Sequence, residues 1–325
     1  MNPLAQLSRA PSTSPARAEF LLDALEGLQA ASKRLSPKYF YDERGSSLFE
    51  EITRLPEYYL TRVELQIMRE FAPEMAQVLE PGCRLVEFGS GSSLKSRVLL
   101  SALESPAAYI PVDISAQQLR HSALELGREF PRLAVQPVAA DFTQEFELPN
   151  LPYPSRRTVV YFPGSTIGNF EPAEVRPLLA RIARLVGPEG GLLVGFDLRK
   201  DVSVLEAAYN DSRGVTRAFN LNVLVRLQRE LEARLNLEDF EHLAYYNRSE
   251  GRIEMHLVSM EDQSIDLGGQ VIPIGAGETI HTENSYKYEP DGLLPLALAT
   301  GLVRQQTWVD AGGNFSVQYY GRLDR

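Results

Sequence analysis

Residues 85–97, LVEFGSGSSLKSR, constrain the fold more than any other stretch: an apolar strand runs through Glu87 into a glycine turn and then directly into a helix. A strand ending in G-x-G leaves backbone amides open where Cβ atoms would block approach, and the next helix points its positive N-terminus at the ligand. That is the shape of a nucleotide-cofactor pocket. The dinucleotide fingerprint would need a third glycine where the helix packs on the strand, and Leu94 holds that position, so pyrophosphate binding is disfavoured. Downstream, the strands RLVEF, AYIPV, AVQPV, RTVVYF and GLLVGF alternate with helical patterns at 93–103, 115–129 and 172–186. The alternation predicts an α/β fold with a parallel doubly wound sheet and helices on both faces. Ser115, and Pro172 after Glu171, are the expected helix starts.

Asp113 closes the second strand about 20 residues past the glycine turn, where a carboxylate can take both ribose hydroxyls. Asp141-Phe142 follows the third. Acid after strand one, acid after strand two and Asp-aromatic after strand three is the order seen in S-adenosylmethionine (SAM) enzymes. The expected SAM contacts are Gly89, Gly91, Asp113, Asp141 and Phe142.

The formal charge of −10 repels phosphate backbones, and no basic patch offsets it, so the expected partner is a small molecule rather than nucleic acid. The longest apolar run, 293–303, is too short to span a bilayer and reads as a packed helix. The single cysteine, Cys83, excludes an internal disulfide and a cysteine metal cluster. His121, His242, His256 and His281 show no metal-ligand spacing, and no metal is expected. Residues 1–16 lack the apolar core of a secretory signal and read as a flexible leader. A cytoplasmic monomer with no membrane segment is the expectation.

Outside the alternating region the pattern changes. Helical spacing covers 18–31, 44–55 and 61–79, and after Asp197 a long helical run, VTRAFNLNVLVRLQRELEARL, precedes period-two strands HLAYYN, RIEMHLVSM, QVIPIG and TIHTENSYKY. Helices followed by an antiparallel meander indicate a second unit inserted in the first. Strands around 305–309 and 315–320, joined by AGGN, look like an antiparallel pair returning to the parallel sheet's edge.

In TENSYKY, strand alternation puts Glu283 and Ser285 on one face and Asn284 and Tyr286 on the other. A carboxylate can accept an imidazole N–H, and a hydroxyl can serve the second ring nitrogen as donor or acceptor. Such a pair rejects phenyl or indole rings by leaving buried polar groups unpaired. Met255 alternates with Ile253 and Leu257 and reads first as core, whereas His256 points the other way and reads as a surface or seam residue.

The segments YFYDERGSSLFEEITRLPEYYLTR (39–62), EFGSGSSLKS, FPGSTIGNFEP (162–172), AYNDSRGVTRAFNLNVL, RIEMHL and TENSYKY together resemble the histidine-specific SAM-dependent Nα-methyltransferases that make hercynine for ergothioneine. The resemblance spans nearly the whole chain. It implies a seven-strand, Rossmann-like methyltransferase sheet with a second α+β substrate-binding domain that closes over the amino acid, and three successive methylations of the free α-amine. The division expected is 17–62 and 199–287 for the substrate-binding domain, and 63–198 and 288–325 for the SAM domain. The resemblance further implies that Gly164 and Asn169 meet the amino and carboxylate end of L-histidine, and that Tyr209 helps hold the carboxylate. By the same resemblance Tyr58 is expected to touch the side chain, Met255 to lie beside the imidazole, and Lys95 to reach the methionyl carboxylate. Tyr41 joins Gly164, Asn169 and Tyr209 as expected catalytic residues, and its aromatic face, like that of Tyr58, suits a quaternary ammonium product. The departures from the family pattern are Ser93-Leu94 in the SAM loop and His256 in place of a bulky aromatic. A relative acting on another free amino acid, such as tyrosine or tryptophan, is the alternative, and Glu283 argues against it.

Overall fold

The computed structural model describes residues 15–91, 93–151 and 155–322, so most of the expected leader, residues 1–14, lies outside the described residues. The first helix, α1 (Pro15–Gln29), begins at the end of that stretch. It is followed by a 3-10 turn (Pro37–Phe40), α2 (Glu43–Ile52) and α3 (Tyr59–Leu79). The alternating region then runs β1 (Arg84–Phe88), α4 (Leu94–Ala102), β2 (Ala108–Asp113), α5 (Ala116–Glu129), β3 (Val138–Ala139), β4 (Thr158–Phe162), α6 (Pro172–Val186) and β5 (Gly191–Asp197). Next come α7 (Val202–Ala207), α8 (Val215–Leu231), β6 (Phe240–Asn247), β7 (Arg252–Ser259), β8 (Gln263–Leu267), β9 (Gln270–Ile274) and β10 (Thr279–Tyr286). The chain closes with α9 (Leu294–Leu298), β11 (Leu302–Val309) and β12 (Phe315–Arg322).

The large sheet has seven strands in the order β11-β12-β5-β4-β1-β2-β3. Its five central and far-edge strands are parallel, while β12 and β11 are antiparallel, as the sequence predicted. Because side chains alternate across a strand, successive residues enter different cores. Leu85, Tyr109, Val159, Tyr161 and Leu193 pack under α3 and α4, whereas Val86, Phe88, Ile110, Val160 and Val194 pack under α6 and α9. From β1 the chain winds outward through β2 and β3, then returns to β4 on the other side. The β1/β4 boundary is therefore the switch point, where loops part and leave a crevice at the strands' carboxyl ends.

The insert forms a three-stranded antiparallel sheet, β10-β7-β6, plus a separate hairpin of β8 and β9. The N-terminal segment joins it: Leu35 N–H donates to the His281 carbonyl at 2.9 Å, and His281 N–H donates to the Lys33 carbonyl at 2.9 Å. Helix α2 packs against α8. Asp42 caps α2, accepting from Gly45 N–H at 2.7 Å, and also from Asn222 Nδ2 of α8 at 2.8 Å. Among the described residues no helix is long and apolar enough to cross a membrane.

Several local expectations need correction. AVQPV pairs only through Val138–Ala139 and a single bridge at Val135, because Pro137 has no N–H to extend the ladder. QVIPIG leaves the meander and pairs with QSIDL, a strand missed in the sequence, across Gly268-Gly269, both with positive φ. The run at 293–303 is a helix for five residues only; Gly301, at φ +78°, turns the chain into β11. Ser115 precedes α5 without capping it through its side chain. Instead its own N–H donates to Asp113 Oδ1 at 2.9 Å. Cys83 is buried at the edge of the core, as expected, and burial pushes its thiol up to about 11.

Asp42→Ala removes an N-cap and a tie to α8 in one step. It is expected to lower stability by about 1–2 kcal/mol in urea titration, with the two-helix seam opening first in hydrogen exchange.

Candidate active site

A cleft of about 700 Å³ opens at the switch point. On its floor, Gly89 and Gly91 have φ of +71° and +43°, and a Cβ built on either meets nothing within 4 Å. The space above the turn is therefore open to a ligand, and a left-handed backbone there is cheap only for glycine. Asp113 Oδ1 is bound by the Ser115 amide, and burial pushes its carboxyl up. Asp141 Oδ1 accepts from Thr143 N at 2.8 Å and Thr143 Oγ1 at 2.6 Å. Phe142 stacks on Phe88 at 5.0 Å with planes 13° apart and meets the edge of Phe162 at 5.5 Å. Two carboxylates beside an aromatic slot can take the ribose and base of a nucleoside.

Lys95 lines the same cleft, but its ammonium is tethered 2.6 Å from Glu64 Oε2. Glu64, on α3, is fully buried and also accepts from the Gly164 N–H at 3.0 and 2.9 Å. This acid was missed in the sequence, although it interrupts the Leu60, Glu64, Met68 stripe at four-residue spacing that buries the rest of α3. Glu87, at the end of β1, is buried as well and accepts from Ser96 Oγ at 2.5 Å and from Tyr109 Oη. Its burial pushes the carboxyl up to about 7.

Of the expected substrate residues, Tyr41, Tyr58, Gly164 and Asn169 line this cleft together with the expected SAM residues. The first two arrive from the N-terminal segment, the last two from the turn after β4. Tyr209, Met255, Glu283 and Ser285 do not line its open part. They stand behind Tyr58, whose ring meets the Tyr209 ring edge-on at 6.1 Å. Met255 lies opposite Glu283 in the β7–β10 register and is buried. Burial raises the Tyr41 and Tyr58 hydroxyls, and the charge of Glu283 adds to it.

Glu283 is the most telling member. Its Oε2 is enclosed and has no hydrogen-bond partner, and burial, against the pull of Lys287, pushes the carboxyl up to about 7. Beside it Ser285 Oγ accepts from Tyr209 Oη at 2.8 Å and from Lys287 Nζ at 2.8 Å. The resemblance assigns the Tyr209 proton to a substrate carboxylate; in the structure it goes to Ser285. On the other face of β10, Asn284 Nδ2 and Tyr286 Oη both donate to Glu171 at 2.9 and 2.5 Å. The alternation read from the sequence holds, and that second face ties the insert to the start of α6.

Lys287 and Asp197 were also missed. Lys287 is fully buried, 3.0 Å from Asp197 Oδ2, and Asp197 accepts further from Tyr59 Oη at 2.6 Å and Lys200 Nζ at 2.5 Å. The period-two rule that pairs Glu283 with Ser285 would have included Lys287.

His256 needs correction. It is buried, not superficial, with its ring stacked between Tyr245 at 5.4 Å and His281 at 4.7 Å. Glu254, His256 and His281 offer ligand atoms within 4.8 Å of one another, a convergence across strands that linear spacing does not show. The His256 and His281 rings lie within 16° of parallel, stacked 4.7 Å apart, so a shared ion could lie in the plane of one ring at most. Glu254 already accepts from Tyr245, Asn247, Arg252 and His256. The chemistry of the trio is that of a hydrogen-bonded stack.

A sheet of this strand order, with an open glycine turn at its switch point and acids closing the next two parallel strands, defines a SAM-dependent methyltransferase. The residues present suit SAM: the turn leaves room for it, and the Phe142 slot lies beside Asp113 and Asp141. The chain belongs to the histidine-specific, SAM-dependent methyltransferases, whose family model matches residues 20–322. It is 42% identical over 300 residues to the histidine N-alpha-methyltransferase of Mycolicibacterium smegmatis, covering 91% of this chain and 92% of that one. It is 28% identical to the ergothioneine biosynthesis protein 1 of Neurospora crassa, covering 85% of this chain and 32% of that longer one. Among solved structures, a possible exported protein from Bordetella parapertussis shares the fold, with a TM-score of 0.50 and 10% identity, covering 96% of this chain and 99% of that one.

A carboxyl raised by burial is bound by a proton more tightly in the folded chain than in the unfolded one. The stability this lends is full below the unfolded value and is lost as pH rises through about 7 for Glu283. Glu283→Gln is therefore expected to raise Tm by roughly 1–3 °C at pH 8, and to match the parent near pH 5, in calorimetric scans.

Proposed function

We propose that the protein transfers three methyl groups from SAM to the α-amine of free L-histidine, giving Nα,Nα,Nα-trimethylhistidine (hercynine), the first step of ergothioneine biosynthesis. The names of the relatives support the reaction. The observation that carries the substrate is the enclosed, unpartnered carboxylate oxygen of Glu283 beside the Ser285 hydroxyl, because a ring with two nitrogens offers each of them a partner. A phenyl ring would leave that oxygen buried and unpaired, at a cost of about 1–3 kcal/mol or more for a charged group. The phenol of tyrosine and the indole of tryptophan each carry one polar ring group where imidazole carries two, so either would leave Glu283 or Ser285 short of a partner, and methylation of those amino acids is disfavoured on that ground.

SAM, when bound, supplies a sulfonium-borne methyl for in-line displacement. What this chain must do is deliver an amine with a free lone pair at near-attack distance, and placement outweighs acid-base chemistry in such a step. The Gly164–Asn169 turn lies on the cleft wall shared with the glycine loop, and the Asn169 amide makes no side-chain hydrogen bond among the described residues, which leaves it free for the amino or carboxylate end. Burial of the amine beside a sulfonium charge lowers its proton affinity, so no strong base is required. Tyr41 and Tyr58 present aromatic faces that hold a nitrogen after its last N–H is gone, when ring quadrupoles replace hydrogen bonds. The division of labour we infer runs between 63–198 with 288–325 for SAM, and 17–62 with 199–287 for the amino acid, the two joined where Tyr59 and Lys287 bond to Asp197.

Incubation with SAM and a panel of free amino acids, followed by mass spectrometry, is expected to show three added methyl groups on L-histidine and little on tyrosine or tryptophan. Equal turnover of tyrosine would overturn the substrate reading and leave the fold intact. Glu283→Ala is expected to raise the histidine KM roughly 100-fold while SAM affinity in calorimetric titration changes less than about threefold.

A further inference from the structure

Lys287 stands one residue past the end of β10, two residues after Ser285, fully buried, with its ammonium clamped 3.0 Å from Asp197 Oδ2. From there it donates to Ser285 Oγ at 2.8 Å and to Tyr209 Oη at 3.1 Å. An ammonium has donors and no acceptor, so it dictates the direction of every bond it makes. Tyr209 Oη accepts from Lys287 and donates its proton to Ser285 Oγ at 2.8 Å. Ser285 Oγ thus accepts twice, which fills both of its lone pairs, and its own proton is the one hydrogen-bonding function left.

We infer that Lys287 is a specificity-determining positioning residue that, together with the Tyr209 hydroxyl, makes Ser285 a donor, so that the ring pocket reads a neutral imidazole in a single tautomer. The inference rests on the histidine reading above. The nitrogen facing Ser285 must be the unprotonated one, and the other nitrogen then carries the N–H that Glu283 Oε2 accepts. An imidazolium presents N–H groups at both positions and would set a donor against the Ser285 proton. A hydroxyl free to turn could serve either form; the ammonium on one lone pair and the Tyr209 proton on the other remove that freedom. Asp197 holds the ammonium in register, together with Tyr59 and Lys200, which bond to the same carboxylate at 2.6 and 2.5 Å. The groups around Lys287 are therefore Asp197, Lys200, Tyr59, Tyr209, Ser285 and, acting through its charge, Glu283.

The test is nitrogen NMR of ring-labelled L-histidine bound to the parent protein with S-adenosylhomocysteine, between pH 6 and 8. The expected result is one bound-state nitrogen with the shift of an unprotonated ring nitrogen and one with that of a protonated nitrogen. Two protonated nitrogens would overturn the inference and spare the histidine reading, since they would mean that Tyr209 has turned its proton elsewhere and Ser285 accepts. No bound signal at all would sink both. In Lys287→Met the histidine KM is expected to rise roughly tenfold or more, with a much smaller change in kcat and SAM affinity within twofold of the parent. An unchanged KM in a variant that still binds SAM would also overturn the inference. If that variant does not fold, the spectrum of the parent decides alone.

Discussion

The carboxylate of Asp197 is the interaction on which the rest of the molecule depends. It ends the innermost antiparallel-facing strand of the large sheet, and within bonding distance it gathers Tyr59 from the N-terminal segment, Lys200 from the chain leaving the sheet, and Lys287 from the strand returning from the insert. Three separate parts of the sequence meet on two oxygens. A buried charge of this kind contributes little net stability by itself, because desolvation offsets the attraction, but loss of any partner leaves a charge uncompensated. The carboxylate therefore works as a register pin: the insert and the N-terminal helices can dock on the sheet in only one way that leaves the ammonium groups and the acid paired.

Two further buried or half-buried acids repeat the device at smaller scale. Glu64 reaches from α3 to grip both Lys95 and the Gly164 amide, so the turn after β4 and the first turn of α4 are fixed to one helix. Glu171 opens α6 and takes Arg252, Asn284 and Tyr286 from the insert. Its partner in the helix start is Glu174, which accepts from the Glu171 N–H at 2.8 Å. In each case the acid joins the ligand-bearing loops to an element distant in sequence. A methyl transfer that depends on placement needs such stiffness, since a displacement of an ångström in the amine costs orders of magnitude in rate.

The two halves of the site differ in how open they are. The glycine turn, Asp113, Asp141 and Phe142 border free space, ready for a nucleoside. Tyr209, Met255, Glu283 and Ser285 are packed behind Tyr58, with Glu283 bearing an unsatisfied oxygen. That oxygen is one of several enclosed side-chain atoms left without a partner among the described residues, Asn284 Oδ1 and His256 Nδ1 among them, and a native protein tolerates such a group where binding repairs it.

Much of this was legible in the chain. The alternation of apolar runs with helical spacing gave β1, β2, β4 and β5, because a strand buried on both faces is apolar at nearly every position; the exposed edge strand β3 was legible only in part. The G-x-G turn marked the cofactor side, since only glycine takes its backbone angles at no cost. Strand parity placed Glu283 and Ser285 together. What parity could not reach was anything set by neighbours from elsewhere in the sequence. The stacking of His256 on His281 depends on which strands pair, the burial of Glu64 on what covers α3, and the direction of the Ser285 hydroxyl on an ammonium held by Asp197. The sequence by itself determined periodicity and local backbone chemistry, which are properties of adjacent residues. Tertiary structure alone decided which polar groups are paired and which are left waiting, because desolvation and hydrogen-bond direction exist only once distant segments have closed around them.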